Sequence, residues 1–265
     1  MRRQVISCGK KIVAVAVLAC FMMIGKQAKA AETTTLRVIS TTDIHNRINS
    51  EDYDVAGKNN TKSLARLNTM IKGARAEMTE GGSITVDVGD SVYGYGAETI
   101  MGGDITPNND LQPIFAAMSR IGYDAITLGN HEFDYGYTFI TNQIEKAGLK
   151  DVCVVANVKE WDSGKYPWDK TKMITKELTT SKGNTVSIKI GIVGVTRQDL
   201  STYYDYNGIL KGESALKTIR TQAAALKKQG ADIVVAMAHC GFGKEDAADA
   251  DYDVGYAISK LSDVD

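Results

Sequence analysis

Two stretches of this 265-residue chain, residues 152–156 and 188–195, are apolar at nearly consecutive positions and therefore on both faces of a pleat. A strand of that kind has to be covered on both sides, which points to a layered α/β architecture with helices over the sheets. Further strand-like runs lie at 36–40, 83–88, 125–128 and 232–238, and the 188–195 run begins at Ser187. Helical spacing fills several of the gaps. Leu64, Leu67, Ile71, Ala74 and Met78 recur at three- and four-residue intervals, as do Leu216, Ile219, Ala223 and Leu226. Ile114, Phe115, Met118 and Ile121 form another apolar face, closed by Gly122. Residues 159–183, which carry both tryptophans, read as a polar excursion with a hairpin.

The polar residues at the ends of these runs are not needed to build a sheet. In open α/β sheets, ligands bind at the carboxyl ends of the strands. The run 123–128 leads into Thr127-Leu-Gly-Asn-His-Glu-Phe-Asp134, which reads as strand, tight glycine turn and helix. The amphipathic stretch 139–144 supplies that helix. Gly129 is expected to let the backbone turn without a Cβ clash. The chain has only three histidines, His45, His131 and His239, and each stands just after a strand-like run. A lone histidine is usually a satisfied core or surface residue, but three at equivalent strand ends form a pattern.

The other strand ends complete it. Asp43-Ile-His45 follows the first run, Gly89-Asp90 the second, Gly129-Asn130-His131-Glu132 the third and His239 the last. Two residues apart in extended chain, Asp43 and His45 are expected to project from one face. An Asp and a His there can grip one cation, Asp90 can bridge to a second, and the Asn130 carbonyl with His239 can complete that second site. Mixed oxygen and nitrogen donors suit Mn, Fe, Co, Ni or Zn better than Ca. Glu132 reads as a supporting or helix-start carboxylate, Asp87 as a hydrogen-bonding residue and Asp124 as a turn residue. Tyr203, Tyr204 and Tyr206, with Asp199 and Asp205, make an aromatic, acidic surface loop, whereas Tyr93 and Tyr95 lie nearer the donors.

The amino terminus is a targeting segment rather than part of the fold. Arg2, Arg3, Lys10 and Lys11 precede an unbroken apolar run at 12–24, and Ala28-Lys29-Ala30 supplies a cleavage signature. The run is shorter than the roughly 20 residues that span a bilayer, so cleavage after Ala30 and export are expected, with no membrane span left. A lipoprotein signal at Cys20 is the alternative. Residues 31–265 then read as one domain, and an apolar content of 43% suffices for its core. A net charge of −1, with no basic run after the signal, gives no electrostatic case for a nucleic-acid polymer. Of four cysteines, Cys8 and Cys20 leave with the signal, while Cys153 and Cys240 remain as buried free thiols or, in an oxidising compartment, as a pair.

The ordered set D-x-H, G-D, G-N-H-E and a downstream His resembles the calcineurin-like metallophosphoesterases. Gly129–Gly136 (GNHEFDYG) and the preceding residues 117–125 are similar to the secreted 5′-nucleotidase branch. Ser40–His45 with Asp52-Tyr53, and residues 63–72, are most similar to its 2′,3′-cyclic-nucleotide 2′-phosphodiesterase/3′-nucleotidase members. The resemblance covers residues 36–265 and implies an αββα sandwich holding two divalent metal ions. Asp43 and His45 would hold the first ion, Asp90 would bridge both, and Asn130 and His239 would hold the second. His131 and Asp134 would form the catalytic dyad. The implied substrate is a nucleotide, most similar in class to 2′,3′-cyclic nucleotides and 3′-nucleotides. The alternatives are 5′-nucleotidase or nucleotide-sugar hydrolysis, or a non-catalytic metal-binding fragment. The family's G-H-x-H motif and its C-terminal nucleotide-binding domain have no counterpart in these residues, so the sandwich is expected to lack its last strands.

Overall fold

Eight strands and five helices are found among the described residues, 32–50, 63–78, 82–94, 110–200 and 208–265, of a computed structural model. In chain order they are β1 (Arg37–Thr41), α1 (Leu64–Ala76), β2 (Ser83–Asp87), α2 (Pro113–Ile121), β3 (Ala125–Ile126) and α3 (Tyr137–Lys146). Then follow β4 (Val158–Glu160), β5 (Thr171–Thr179), β6 (Thr185–Val195), β7 (Leu210–Gly212), α4 (Ala215–Lys228), β8 (Ile233–Ala238) and α5 (Gly255–Ile258). The segment expected to target the chain for export, Asp52-Tyr53, Tyr95 and Tyr203–Tyr206 lie outside the described residues.

The first sheet has the order β1-β2-β3 and is parallel, with Arg37 opposite Ser83 and Val86 opposite Ala125. The second has the order β5-β6-β8, antiparallel between β5 and β6 and parallel between β6 and β8. A short antiparallel pair joins β4 to β7. Side-chain alternation sorts the strands into layers. Ile84 and Val86 of β2 share a core with Ile190 and Ile192 of β6 and Met237 of β8, which fills the space between the sheets. Val193 and Val195, on the opposite face of β6, pack with Leu216, Ile219, Ala223 and Leu226 of α4. Ile126 of β3 packs instead with Phe115 of α2 and with Phe139 and Ile140 of α3. The order is helix, sheet, sheet, helix. Each fully buried aliphatic contributes roughly 1.5–3 kcal/mol.

Helix boundaries follow ordinary capping chemistry. The Ser63 and Ser214 hydroxyls accept from the N–H groups of Arg66 and Lys217, each at 3.2 Å. Pro113 opens α2, and Gly122 closes it at φ 70°. Arg75 then ties the layer together, donating to Thr85 Oγ1 and to the Ile121 and Gly122 carbonyls at 2.7–2.9 Å.

Two expectations need correction. Residues 152–156 do not form a strand: Lys150–Val152 make a 3₁₀ turn, and single bridges follow at Cys153 and Val154. Their backbone is shared out instead, Val154 N–H to Ile126 O and Ala156 N–H to Gly194 O, so the segment links the two sheets. Residues 159–183 are no excursion. They contain nine-residue β5, whose hairpin with β6 is an integral part of the second sheet. Asp124, read as a turn residue, also bonds Thr85 N–H at 2.8 Å and Lys176 Nζ at 3.3 Å. Cys153 and Cys240 are free thiols.

Gly194 of β6 has no room for a side chain: a Cβ there would lie 2.0 Å from Val154 O and 2.7 Å from Thr127 Oγ1. Backbone cannot yield as a flexible side chain does, so Gly194→Ala should destabilise the fold by about 3 kcal/mol, at the upper end of overpacking costs; an unchanged urea midpoint would refute this. Asp87 is fully buried at the end of β2. It bonds Thr41 Oγ1 at 2.6 Å, Gly89 N–H at 3.0 Å and Ser91 Oγ at 3.2 Å. Burial pushes its carboxyl up to about 7, against about 3.9 in an unfolded chain. The folded state therefore keeps a proton that the unfolded chain releases. This contribution to stability is full below about pH 4 and is lost as pH rises through about 7. Asp87→Asn mimics the protonated carboxyl. In chelator-treated protein, the variant and wild type should have similar urea midpoints at pH 4, and the variant should be the more stable at pH 8. Parallel curves across that range would show that Asp87 stays ionised in the fold.

Candidate active site

The loops leaving β1, β2 and β3 meet above their sheet, and one buried carboxylate holds two of them. Glu132 is 2% exposed. Its Oε2 accepts from the N–H groups of Gly129 at 2.6 Å and Asp90 at 2.8 Å, and its Oε1 from those of Ser91 at 2.6 Å and Val92 at 3.4 Å. Burial pushes this carboxyl up, the Asp90 charge adds to that, and the N–H donors oppose both. Gly89 and Gly129 are what allow the loops to touch. A Cβ on Gly89 would lie 2.1 Å from Gly129 N, and one on Gly129 would lie 2.2 Å from Asp90 Oδ1. Gly89 also has φ 94°, whereas Gly129 is not among the positive-φ glycines. Gly129 is thus required for close approach rather than for the sharp turn expected from sequence.

The loop after β1 is laced onto the same structure. Asp43, His45 and Asn46 donate their N–H groups to the carbonyls of Gly89, Asp90 and Ser91 at 2.9–3.0 Å. Asp43 and His45 are not extended, as the D-x-H reading supposed; they have φ 53° and 47°. Asn46, Asp90 and Tyr93 share the left-handed region, and no other non-glycine residue does so among those described. Among the described residues, left-handed strain outside glycine is therefore confined to the loops after β1 and β2, which carry Asp43, His45 and Asp90.

All of the expected donors converge. One ligand atom each of Asp43, His45 and Asp90 lies within 4.8 Å of the others. His45 Nδ1–H donates to Tyr93 O at 3.0 Å, leaving Nε2 3.7 Å from Asp43 Oδ1. His239, just beyond β8, donates Nδ1–H to Val88 O at 2.8 Å. Its Nε2 then faces Asp90 Oδ2 at 3.1 Å and Asn130 Oδ1 at 3.2 Å. A backbone carbonyl on the far nitrogen is the arrangement that orients a metal-ligating imidazole. With Nδ1 so occupied, a neutral His239 would set three acceptors against one another. The cluster requires a positive charge, which a proton or a divalent ion can provide. Burial works against a charged His239, but the Asp90 carboxylate and the Val88 carbonyl outweigh it and hold the imidazole up at about 9. Asp90 is likewise opposed by burial, yet His239 and the His131 N–H keep its carboxyl below the ordinary range.

His131 stands beside this cluster in a 3₁₀ turn, His131–Phe133. Its N–H donates to Asp90 Oδ1 at 2.9 Å, and its Nδ1 lies 2.6 Å from Asp134 Oδ2. The ring stacks on Tyr93 with centroids 4.5 Å apart and planes 3° from parallel, and it meets His45 edge-on at 5.4 Å. The structure thus brings together His131 and Asp134, the two residues paired in the sequence reading.

Arg197 went unnoticed in the sequence. It lines the cleft with Asp43, Asp90, Asn130 and His239, and Asp199 holds its Nε and Nη2 at 3.1 and 2.8 Å. Its position two residues beyond the end of β6 is the signal that could have found it. Asp199, read as part of a surface loop, is buried in this pair.

No family model matches the chain. It is 29% identical over 216 residues to a 2′,3′-cyclic-nucleotide 2′-phosphodiesterase/3′-nucleotidase of Haemophilus influenzae, covering 81% of this chain and 32% of that protein. It is 31% identical over 227 residues to the trifunctional nucleotide phosphoesterase protein YfkN of Bacillus subtilis, covering 83% of this chain and 15% of that protein. The chain thus spans about a third of the first relative's length and less of the second's. The crystal structure of the calcineurin-like phosphoesterase YfkN from Bacillus subtilis superposes with a TM-score of 0.76 at 27% identity, covering 88% of this chain and 70% of that one.

Proposed function

We propose that this chain, a calcineurin-like phosphoesterase in fold and kinship, hydrolyses nucleotide phosphoesters. Its substrates would be 2′,3′-cyclic nucleotides and the 3′-nucleotides they yield. The observation that carries the reading is the meeting of donors from both sheets: Asp43, His45, Asp90, Asn130 and His239, with the His131–Asp134 pair alongside. Calcineurin-like phosphoesterases are metal-dependent, and the donor set suits them. Asp43, His45 and Asp90 would hold one divalent ion, and Asp90, Asn130 and His239 a second, drawn from Mn, Fe, Co, Ni or Zn. Ions bound there would supply Lewis-acid polarisation of a phosphoryl oxygen and a water of lowered pKa.

The chain's own residues would manage the proton. Asp134 fixes Nδ1 of His131, leaving Nε2 to hold a proton and deliver it to the departing ribose oxygen as the P–O bond breaks. With a 2′,3′-cyclic substrate a water oxygen bonds to phosphorus as the P–O2′ bond breaks, the 2′ oxygen takes the proton and a 3′-monophosphate results. Cleavage of the P–O3′ bond then releases the nucleoside and phosphate. Asp90 serves both halves, since one oxygen faces His239 while the other accepts the His131 N–H.

The test is product release from 2′,3′-cyclic AMP, 3′-AMP and 5′-AMP by the purified protein with Mn²⁺. The first two should be cleaved. His131→Ala should lower kcat by about 10²–10⁴-fold, the range of a positioned acid, while metal content is retained. Cleavage of 5′-AMP alone would overturn the substrate assignment and leave the site standing; neither cleavage nor metal uptake would overturn both. Export is part of the same proposal, resting on Arg2, Arg3, the 12–24 apolar run and Ala28-Lys29-Ala30. Among the described residues no helix is long and apolar enough to cross a membrane. Protein recovered outside the cytoplasm should begin at Ala31 on amino-terminal sequencing. Recovery only from the cytoplasm, with the segment retained, would refute export.

A further inference from the structure

We propose that Tyr93 is a positioning residue for the leaving-group proton, its ring setting the plane of His131 while its carbonyl sets that of His45. The inference deepens the hydrolase reading and rests on it. Among the described residues, His131 has one in-plane anchor, the 2.6 Å contact of Nδ1 with Asp134. A single hydrogen bond fixes the direction of Nδ1 but lets the ring rock about that line, which moves Nε2. The Tyr93 ring lies flat against the imidazole, 4.5 Å away and 3° from parallel, and opposes that rocking. The same residue accepts the Nδ1–H of His45 at 3.0 Å. One residue therefore sets both a metal ligand and the proton donor.

Two features separate this role from ordinary packing. Tyr93 is 42% exposed, so burial of the ring is not what places it. It also holds φ 68°, a conformation that glycine tolerates and a bulky side chain does not. The fold keeps a strained tyrosine next to Gly94, which itself has φ 81°. Strain at such a position is retained when the side chain is needed there.

The experiment compares wild type, Tyr93→Phe and Tyr93→Gly on 3′-AMP and on p-nitrophenyl phosphate. The alkoxide leaving from the nucleotide needs a proton, whereas p-nitrophenolate leaves with little help. Tyr93→Gly should lower kcat on 3′-AMP by about 10–100-fold, the cost of a misplaced catalytic group, with KM changed little. Its kcat on p-nitrophenyl phosphate should fall by less than about threefold by the same reasoning. Because glycine relieves the backbone, its melting temperature should hold or rise. Tyr93→Phe, which keeps the ring, should remain close to wild type on both substrates. Equal losses on the two substrates, or no loss on 3′-AMP, would overturn the positioning role. If wild type cleaves neither substrate, the hydrolase reading falls and proton delivery with it. The His131 ring-proton NMR shifts then judge the stacking alone: an upfield displacement lost in Tyr93→Gly supports it, and identical spectra overturn it.

Discussion

Glu132 is the residue on which the site depends. Burying a carboxylate is costly unless its lone pairs are met by donors, and here four backbone N–H groups from two loops meet them. Such charge-assisted bonds are roughly twice as strong as neutral ones, so the loops after β2 and β3 are held as one body. Asp90 is fixed as a result: its N–H is bonded to Glu132, and its side chain lies between His131 N–H and His239. The glutamate of G-N-H-E is therefore the brace of the site rather than one of its donors. A glutamine there would turn an amide N–H₂ toward N–H groups and leave at least one of them unpaired.

That brace bears on the strain around it. Five left-handed non-glycine residues lie on the loops after β1 and β2, and each such conformation costs of order 1–3 kcal/mol. Those loops bury Ile44 and Val92 in the core beneath them. What offsets the strain is the lacing of Asp43, His45 and Asn46 onto residues 89–91 and the hydrophobic layers beneath. The site is thus stabilised by parts of the fold that lie outside the donor cluster.

The strands and helices were legible where periodicity is local. Leu64–Ala76, Pro113–Ile121 and Ala215–Lys228 follow their apolar spacing, and β1, β2, β6 and β8 fall within two residues of their apolar runs. The donors were legible because histidine is scarce and each one ends a strand. What was not legible depends on partners distant in sequence. The D-x-H backbone is left-handed because its N–H groups follow the carbonyls of residues 89–91, which no local pattern encodes. Residues 152–156 look like a strand by composition, but their backbone groups are divided between Ile126, Asp169 and Gly194. Gly129 looks like a turn glycine because its contact with Asp90 spans 39 residues of chain. Arg197 carries no motif, and only the folded chain places it at the cleft; Tyr93 could be placed near the donors from sequence, but its stacking on His131 could not.

The division of the donors between two sheets has a mechanical consequence. Asp43, Asp90 and Asn130 follow strands of the first sheet, whereas His239 follows β8 of the second. The His239 Nε2–Asp90 Oδ2 distance of 3.1 Å therefore measures how one sheet sits on the other. That seating is set by Ile84, Val86, Ile190, Ile192 and Met237 in the layer between them, and by residues 154–156, which bond to both sheets. Close-packed layers transmit small displacements rather than absorbing them. A methylene gained or lost at Ile192 would thus reach the donor cluster as a shift of His239 against Asp90. Gly194 lies in this layer as well, with Val154 O and Thr127 Oγ1 against its missing side chain. In this fold the core between the sheets helps to set the geometry of the donor cluster.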